Sequence, residues 1–489
     1  MSATSSSSHM ESPAASSVPA ASPAAIDASC RVPVMVLFAF AAVWLVAASV
    51  FGLITSLKFH APNLLAACPW FTYGRVQPAQ LNALVYGFAA QAALGAALWM
   101  IARLGRTPLL QPGYIVLGAI LWNLGVKIGV FGILIGDTTG YEWLEMPRYA
   151  SPILFLAYSM IGIPALLTFH HRREPTLYVS QWFLLAALFW FPWIYSTANL
   201  LLVFFPVRGV LQAVVDWWFI GNLTTIWFGF IGLAAIFYFL PRLTGRPLHS
   251  NYLALVAFWT LALFGGWGGI HHGAPLPAWM PSLSTVFTVL TVVPLIAIAI
   301  NFKKTLAGAS ANLKENLPLR FVAFGAVAYL LAGALNIADS LPQVNQVTRF
   351  TFFTSARTQL FLYGFFGMTM LGAIYYIAPQ LIQKDWPSGA LFRLHFRGAV
   401  FGIIVCLLSL LLGGVVQGMS LNNANVPFAD VTKSSLHFLR MSTLGDLGIA
   451  IGNFALALNF GWLLVRCCRE CCVPIVAAAA KLETAEVAR

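Results

Sequence analysis

The chain has 489 residues, of which 60% are hydrophobic and only 9% charged, against roughly 25% charged in a soluble domain. With a mean hydropathy of +0.81, this excludes a water-soluble globule, and it excludes wholesale disorder, which needs low hydrophobicity and high net charge. The charge of +12, from 27 Lys and Arg against 15 Asp and Glu, falls in short loops between apolar runs, so it reads as membrane topology and not as a nucleic-acid footprint.

Residues 1–30 are rich in Ser, Ala and Pro and are predicted to form a disordered tail. Twelve apolar runs follow, at 33–57, 79–103, 113–136, 149–170, 179–205, 211–240, 251–271, 282–302, 319–338, 351–380, 396–417 and 441–465. Their lengths suit membrane helices and not the ten-residue alternating segments of a barrel. The fold class expected is therefore an all-α polytopic bundle of twelve transmembrane helices over 31–466, with a tail at 467–489. Alternate connections are basic, with Arg103 and Arg106, Arg172 and Arg173, Arg242 and Arg246, Lys303 and Lys304 among them. By the positive-inside rule this puts both termini in the cytoplasm. The tail sequence CCRECC (467–472) reads as a thiophilic-metal or lipidation site, or as an inert juxtamembrane patch.

No soluble domain interrupts the spans, so any chemistry sits inside the bundle or on partner subunits. Ionisable residues within spans are functional candidates because a membrane makes them costly. Lys127, Asp216, Arg357 and Asp446 are the conspicuous charges. Lys127 also reads as a snorkelling lysine or as the partner of a nearby acid. His395, at the start of its span, reads as facing headgroups. The adjacent His271 and His272, in GGWGGIHHG, are metal-ligand candidates if glycine breaks the helix there.

Several segments together resemble subunit I of the cytochrome cbb-type oxidases, the C family of heme–copper oxidases. They include GRVQPAQLNALVYGF (74–88), GYEWLEMP (140–147), VDWWFIGN (215–222) and FYFLPRLTGRPLHS (237–250). FWTLALFGGWGGIHHGAPLPAWMPSL (258–283), RFTFFTSARTQLFLYGFFGMTMLGAIYYIAPQL (349–381) and LHFRGAVFGIIVCLLSLLLGGVVQGM (394–419) continue the series in matching order. The resemblance implies a heme–copper oxidase bundle whose chemistry rests on six histidines, serving a low-spin heme b, a high-spin heme and a copper ion. At the matching positions this chain carries Gln80, Arg357 and Gln359 for the heme ligands. Gly221 stands in the first copper position, and only His271 and His272 remain of the copper set. Gly265 replaces the family's tyrosine, and Leu335 its acidic residue tied to proton uptake. The acidic loop, Glu142 and Glu145, is retained, as are the GRP turn at 245–247 and the HF pair at 395–396.

Glutamine is a poor ligand for heme iron, a protonated arginine has no lone pair to give, and glycine has no side chain. The expectation is a family member without heme b or a complete copper site, with no catalytic residue of its own. It would act as a structural or assembly subunit of a respiratory oxidase in a bacterial inner membrane. Its partners would be cytochrome c subunits or a functional subunit I, with membrane lipid around it and no nucleic acid. The alternatives are an active terminal oxidase or nitric oxide reductase-like subunit with unusual metal ligation, and a transporter or proton-conducting bundle. The emptied heme space is expected to be filled by bulky side chains or to admit lipid or quinone. Arg357 needs an anion or backbone carbonyls nearby, and Asp446 is one candidate partner.

Overall fold

The computed structural model describes residues 21–273 and 275–487, with the backbone alone at 310–311 and 468–487. Among the described residues, twelve helices make up the bundle. They are α1 (Pro23–Lys58), α2 (Tyr73–Gly105), α3 (Pro112–Ile135), α4 (Ala150–His170), α5 (Val179–Phe204) and α6 (Leu211–Thr244). The series continues with α7 (Asn251–Trp267), α8 (Trp279–Leu306), α9 (Leu317–Ser340), α10 (Phe352–Ile382), α11 (Gly389–Leu421) and α12 (Phe428–Val487). Eleven are long and apolar enough to cross a membrane, and α7 is a shorter apolar helix. Each of the twelve coincides with one of the expected runs. α7 stops short of the expected end at 271 because its last turn, Gly265–Trp267, tightens and the chain then leaves the helix through extended Gly268 and left-handed Gly269.

The first helix starts at Pro23, so its first eight residues fall in the stretch assigned to the tail. Ser22 caps it by accepting a hydrogen bond from the amide of Ala25, and Pro23 suits the first helical position. Asp27, which composition alone assigns to the tail, is buried and paired. It lies 3.1 Å from the Arg103 guanidinium and accepts a hydrogen bond from the Trp99 indole at 3.0 Å. Residues 1–20 lie outside the described residues, as do the side chains of CCRECC beyond Cys467.

Three helices form the centre. The apolar windows of α2, α6 and α10 are 100%, 89% and 89% buried, while those of the surrounding spans range from 28% to 56%, which marks these as the ring that faces lipid or partners. The outer helices close up where side chains are smallest. A Cβ on Gly402 of α11 would stand 2.4 Å from the Gly445 carbonyl oxygen of α12, and Gly398 meets Gly448 and Gly452 in the same way. Such small-residue contacts let backbones approach where no hydrophobic driving force between helices exists.

Each central helix loses its regular α-helical register near its middle. Wider π-turns run over Ala83–Ala89 in α2, Leu223–Phe228 in α6 and Leu360–Gly367 in α10. Such segments are uncommon and concentrate at functional sites. Here each begins within three residues of a position where the resemblance expects a metal or heme ligand: Gln80, Gly221 and Gln359.

Candidate functional site

A cavity of about 250 Å³ opens between α6, α7, α8, α9 and α10. On α8 it is lined from Ser284 to Leu295 and on α9 from Tyr329 to Ser340. At 1.5 Å per residue both helices give it a depth of about 16 Å, half of a hydrocarbon core. Glu142 and Trp143 of the acidic loop form part of its wall. Glu142, His271, His272, Asp339 and Arg357 share its wall with the hydroxyls of Thr225, Thr288 and Thr358. Apolar side chains and glycines make up the larger part of the wall, and the hydroxyls and charged groups are set among them.

The two histidines come to this cavity because α7 breaks. Gly269 takes φ +97°, a left-handed conformation that suits glycine, and turns the chain along α6. The His271 ring packs edge-on against Trp217 at 5.3 Å. Burial, and then the positive charges of Arg357 and Arg349, lowers its pKa to about 4, so the ring is neutral. His272 Nε2 lies 3.1 Å from the Thr285 hydroxyl. That hydroxyl donates to the Ser340 carbonyl, so His272 Nε2 is the donor in the pair and carries a proton. Among the described residues no group of three His, Cys, Asp or Glu side chains is placed to hold a metal ion.

The first copper position that the resemblance implies is closed as well as bare. A Cβ on Gly221 would stand 2.7 Å from the Gly268 carbonyl oxygen, so the chain after α7 occupies the space a ligand side chain would need. A Cβ on Gly265, the tyrosine position, would meet Ile226 and Thr225 at 2.9 Å each. At the heme positions Gln80 lies beside Gly52 and Tyr363. The Gln359 side-chain oxygen Oε1 is buried and has no hydrogen-bond partner among the described residues. These donors do not fit heme iron or copper: two are amides, one is a cation and one is backbone.

Arg357 is not left searching for an anion. Its Nη1 lies 2.7 Å from Asp339 Oδ2 and donates to Asn336 Oδ1 at 3.0 Å. Thr348 donates to the other Asp339 oxygen at 2.5 Å. This corrects the suggestion of Asp446, which instead accepts a hydrogen bond from the Cys406 thiol at 3.4 Å and from Ser56. Asp339 was missed because it ends a span in NIADS, where an acid reads as an interfacial residue. Its only sequence signal is a spacing that carries it to the same end of the bundle as Arg357.

The acidic loop is built into the centre. Asn82 of α2 donates to Glu145 Oε2 at 2.8 Å, and Tyr86 donates to the Trp143 carbonyl at 2.7 Å. Thr138 and Thr139 hold the carbonyls of Glu145 and Leu144, each at 2.7 Å. Burial raises the Glu145 pKa to about 7, with the Asn82 hydrogen bond opposing it. Asp216 accepts from the Glu142 amide at 3.3 Å, tying α6 to this loop. Trp143, at φ +67°, holds the left-handed conformation that a bulky residue rarely adopts, so the loop is held in place by these bonds.

The four intramembrane charges do not form one path. Arg357 lines the cavity, Asp216 serves the loop, Asp446 sits between α1, α11 and α12, and Lys127 is exposed on the outside of α3. His395 is fully buried, and its Nδ1 is 2.9 Å from the Tyr375 hydroxyl, so it does not face headgroups. The ring stacks of Phe321, Tyr375 and Phe392 enclose it.

Residues 32–448 match the family of Cytochrome C and Quinol oxidase polypeptide I. The chain is 26% identical over 454 residues to a cytochrome c oxidase subunit 1 homolog of Azorhizobium caulinodans, covering 89% of this chain and 82% of that protein. It is 25% identical over 434 residues to the Cbb3-type cytochrome c oxidase subunit CcoN1 of Stutzerimonas stutzeri, covering 86% and 90%. A chain of a heme–copper terminal oxidase dimer, solved by cryo-electron microscopy, shares the fold with a TM-score of 0.71 at 14% identity, covering 89% of this chain and 84% of that one.

Proposed function

The chain belongs to the cytochrome c and quinol oxidase polypeptide I family, and we propose that within it this protein is a non-catalytic structural or assembly subunit of a respiratory oxidase. It holds no heme b and no complete copper site. It sits in a bacterial inner membrane with both termini in the cytoplasm, beside other oxidase subunits such as cytochrome c subunits or a functional subunit I.

The observation that carries this reading is the Arg357–Asp339 pair at 2.7 Å. A cation with its own buried counter-ion has been fitted where the resemblance calls for an electron-pair donor to iron. Breaking such a pair to admit a heme would leave an uncompensated charge in low dielectric. Gly221, closed off by the Gly268 carbonyl, supports the same conclusion at the copper position. The acidic loop, held by Asn82, Tyr86, Thr138 and Thr139, supports a scaffold role because it ties the bundle together.

The test is oxidase activity in a host stripped of its own terminal oxidases. Expressed there alone, the chain is expected to give membranes that neither consume oxygen nor oxidise reduced cytochrome c. Oxygen uptake that depends on this chain and is blocked by cyanide would overturn the proposal.

A further inference from the structure

Lys127 is the charge that the bundle itself leaves unexplained. α3 turns Trp122, Asn123, Val126 and Val130 inward and Leu117, Ile120, Leu124 and Phe131 outward. Lys127 stands exposed in the middle of that outward stripe. Among the described residues no carboxylate pairs with it, although Asp27 and Asp339 both pair with arginines.

Its depth follows from helix geometry. α3 has 24 residues, which makes it about 36 Å long against a hydrocarbon core of about 30 Å. Lys127 lies eight residues before the last one, Ile135, so its Cα is about 12 Å from that end and about 9 Å inside the hydrocarbon boundary. Every Cα–Cβ bond in a helix tilts toward the N-terminus. For Lys127 that direction is toward the midplane and away from the nearer surface. Snorkelling therefore has to work against the lean of the side chain. An ammonium at this depth is stabilised by a counter-charge at its own level.

A second copy of this chain is a poor source. A two-fold contact through the same face would set Lys127 against its own equivalent. We propose that the outward face of α3 docks a partner transmembrane helix that carries an Asp or Glu at the depth of Lys127. This rests on the reading of the chain as a subunit of a larger membrane assembly. Leu124 and Phe131, one turn on either side, supply the apolar contacts that would flank the ion pair.

The experiment places a benzophenone amino acid at Leu124 or Phe131 of the full chain in its native membranes, with Trp259 of α7 as a control face. Ultraviolet light is expected to join positions 124 and 131 to a membrane-spanning peptide that contains a carboxylate. Lys127→Leu should lower that yield about three- to thirtyfold, the range of a polar contact between membrane helices. Lys127→Arg should retain it. Lys127→Glu combined with a lysine in place of the partner's acid should restore it. Adducts to lipid alone, to a second copy of this chain, or to nothing would overturn the proposal, as would a yield indifferent to Lys127→Leu. Heme content measured on the same preparation separates the two readings. A charge-dependent adduct on a heme-bearing chain keeps the docking face and removes the non-catalytic role.

Discussion

Replacing Asp339 by asparagine tests whether Arg357 belongs to the fold. The pair is enclosed: the Asp339 side chain is 6% exposed and that of Arg357 22%. Removing one partner of a buried ion pair costs about 3–5 kcal/mol because the other charge is left unpaired. The partial exposure of Arg357 screens its charge, which brings the expected loss to about 2–3 kcal/mol. Geometry points the same way. Asp339 uses one oxygen for Arg357 and the other for Thr348. Asparagine has a single oxygen, so it must present its amide hydrogens to the guanidinium or give up the Thr348 bond as it now stands. Thermal unfolding of the purified chain in detergent should show the apparent midpoint fall by roughly 2–6 °C. Asp339→Asn with Arg357→Gln should be less destabilised than the two single changes summed, by about 1 kcal/mol or more, since it removes both charges. A single variant that melts with the parent, or a strictly additive pair, would refute the view that Arg357 is held by Asp339.

Glu145 should make stability fall as pH rises. Its folded pKa is raised to about 7, above the unfolded carboxylate near 4.3. The protonated form is thus favoured by folding, and its contribution is complete below about pH 4 and lost as pH rises through 7, at most about 3 kcal/mol. Glu145→Gln should flatten the melting profile between about pH 5 and pH 8, and an unchanged slope would show that another group titrates there. At the α11–α12 contact, Gly402→Ala should cost about 1–3 kcal/mol by overpacking, since its Cβ would stand 2.4 Å from the Gly445 carbonyl. Gly402→Leu should abolish accumulation of folded protein, read by size-exclusion chromatography. For the two histidines, His271→Ala and His272→Ala together should leave the copper content of the purified chain unchanged by elemental analysis. A drop of about one copper per chain would show that they hold the metal.

The fold was legible because hydropathy alone dictates a membrane helix: twelve apolar runs became twelve helices, including the short α7. Where the reading slipped, the cause was pairing at long range. Asp27 looked like part of a tail because nothing near it in sequence reveals that Arg103 and Trp99 enclose it. Asp446 was suggested for Arg357 because span order does not give depth or helix face, and Asp339 does the work instead. Residue identity at Gln80, Gly221, Arg357 and Gln359 was readable directly, since ligand chemistry depends on the atom offered. The closure of Gly221 by the Gly268 carbonyl was not, because it depends on a backbone path set by Gly269. The π-turns were also hidden: the sequences over 83–89, 223–228 and 360–367 are apolar and carry no signal that separates a π-turn from a regular α-helix.

The heme content of the isolated chain tests the central claim most directly. A pyridine hemochrome spectrum taken after purification from a host that makes heme b freely should show only a trace of heme per polypeptide. A reduced spectrum carrying two stoichiometric hemes b would mean that iron is held despite Gln80, Arg357 and Gln359, and the proposal of a non-catalytic subunit would fall.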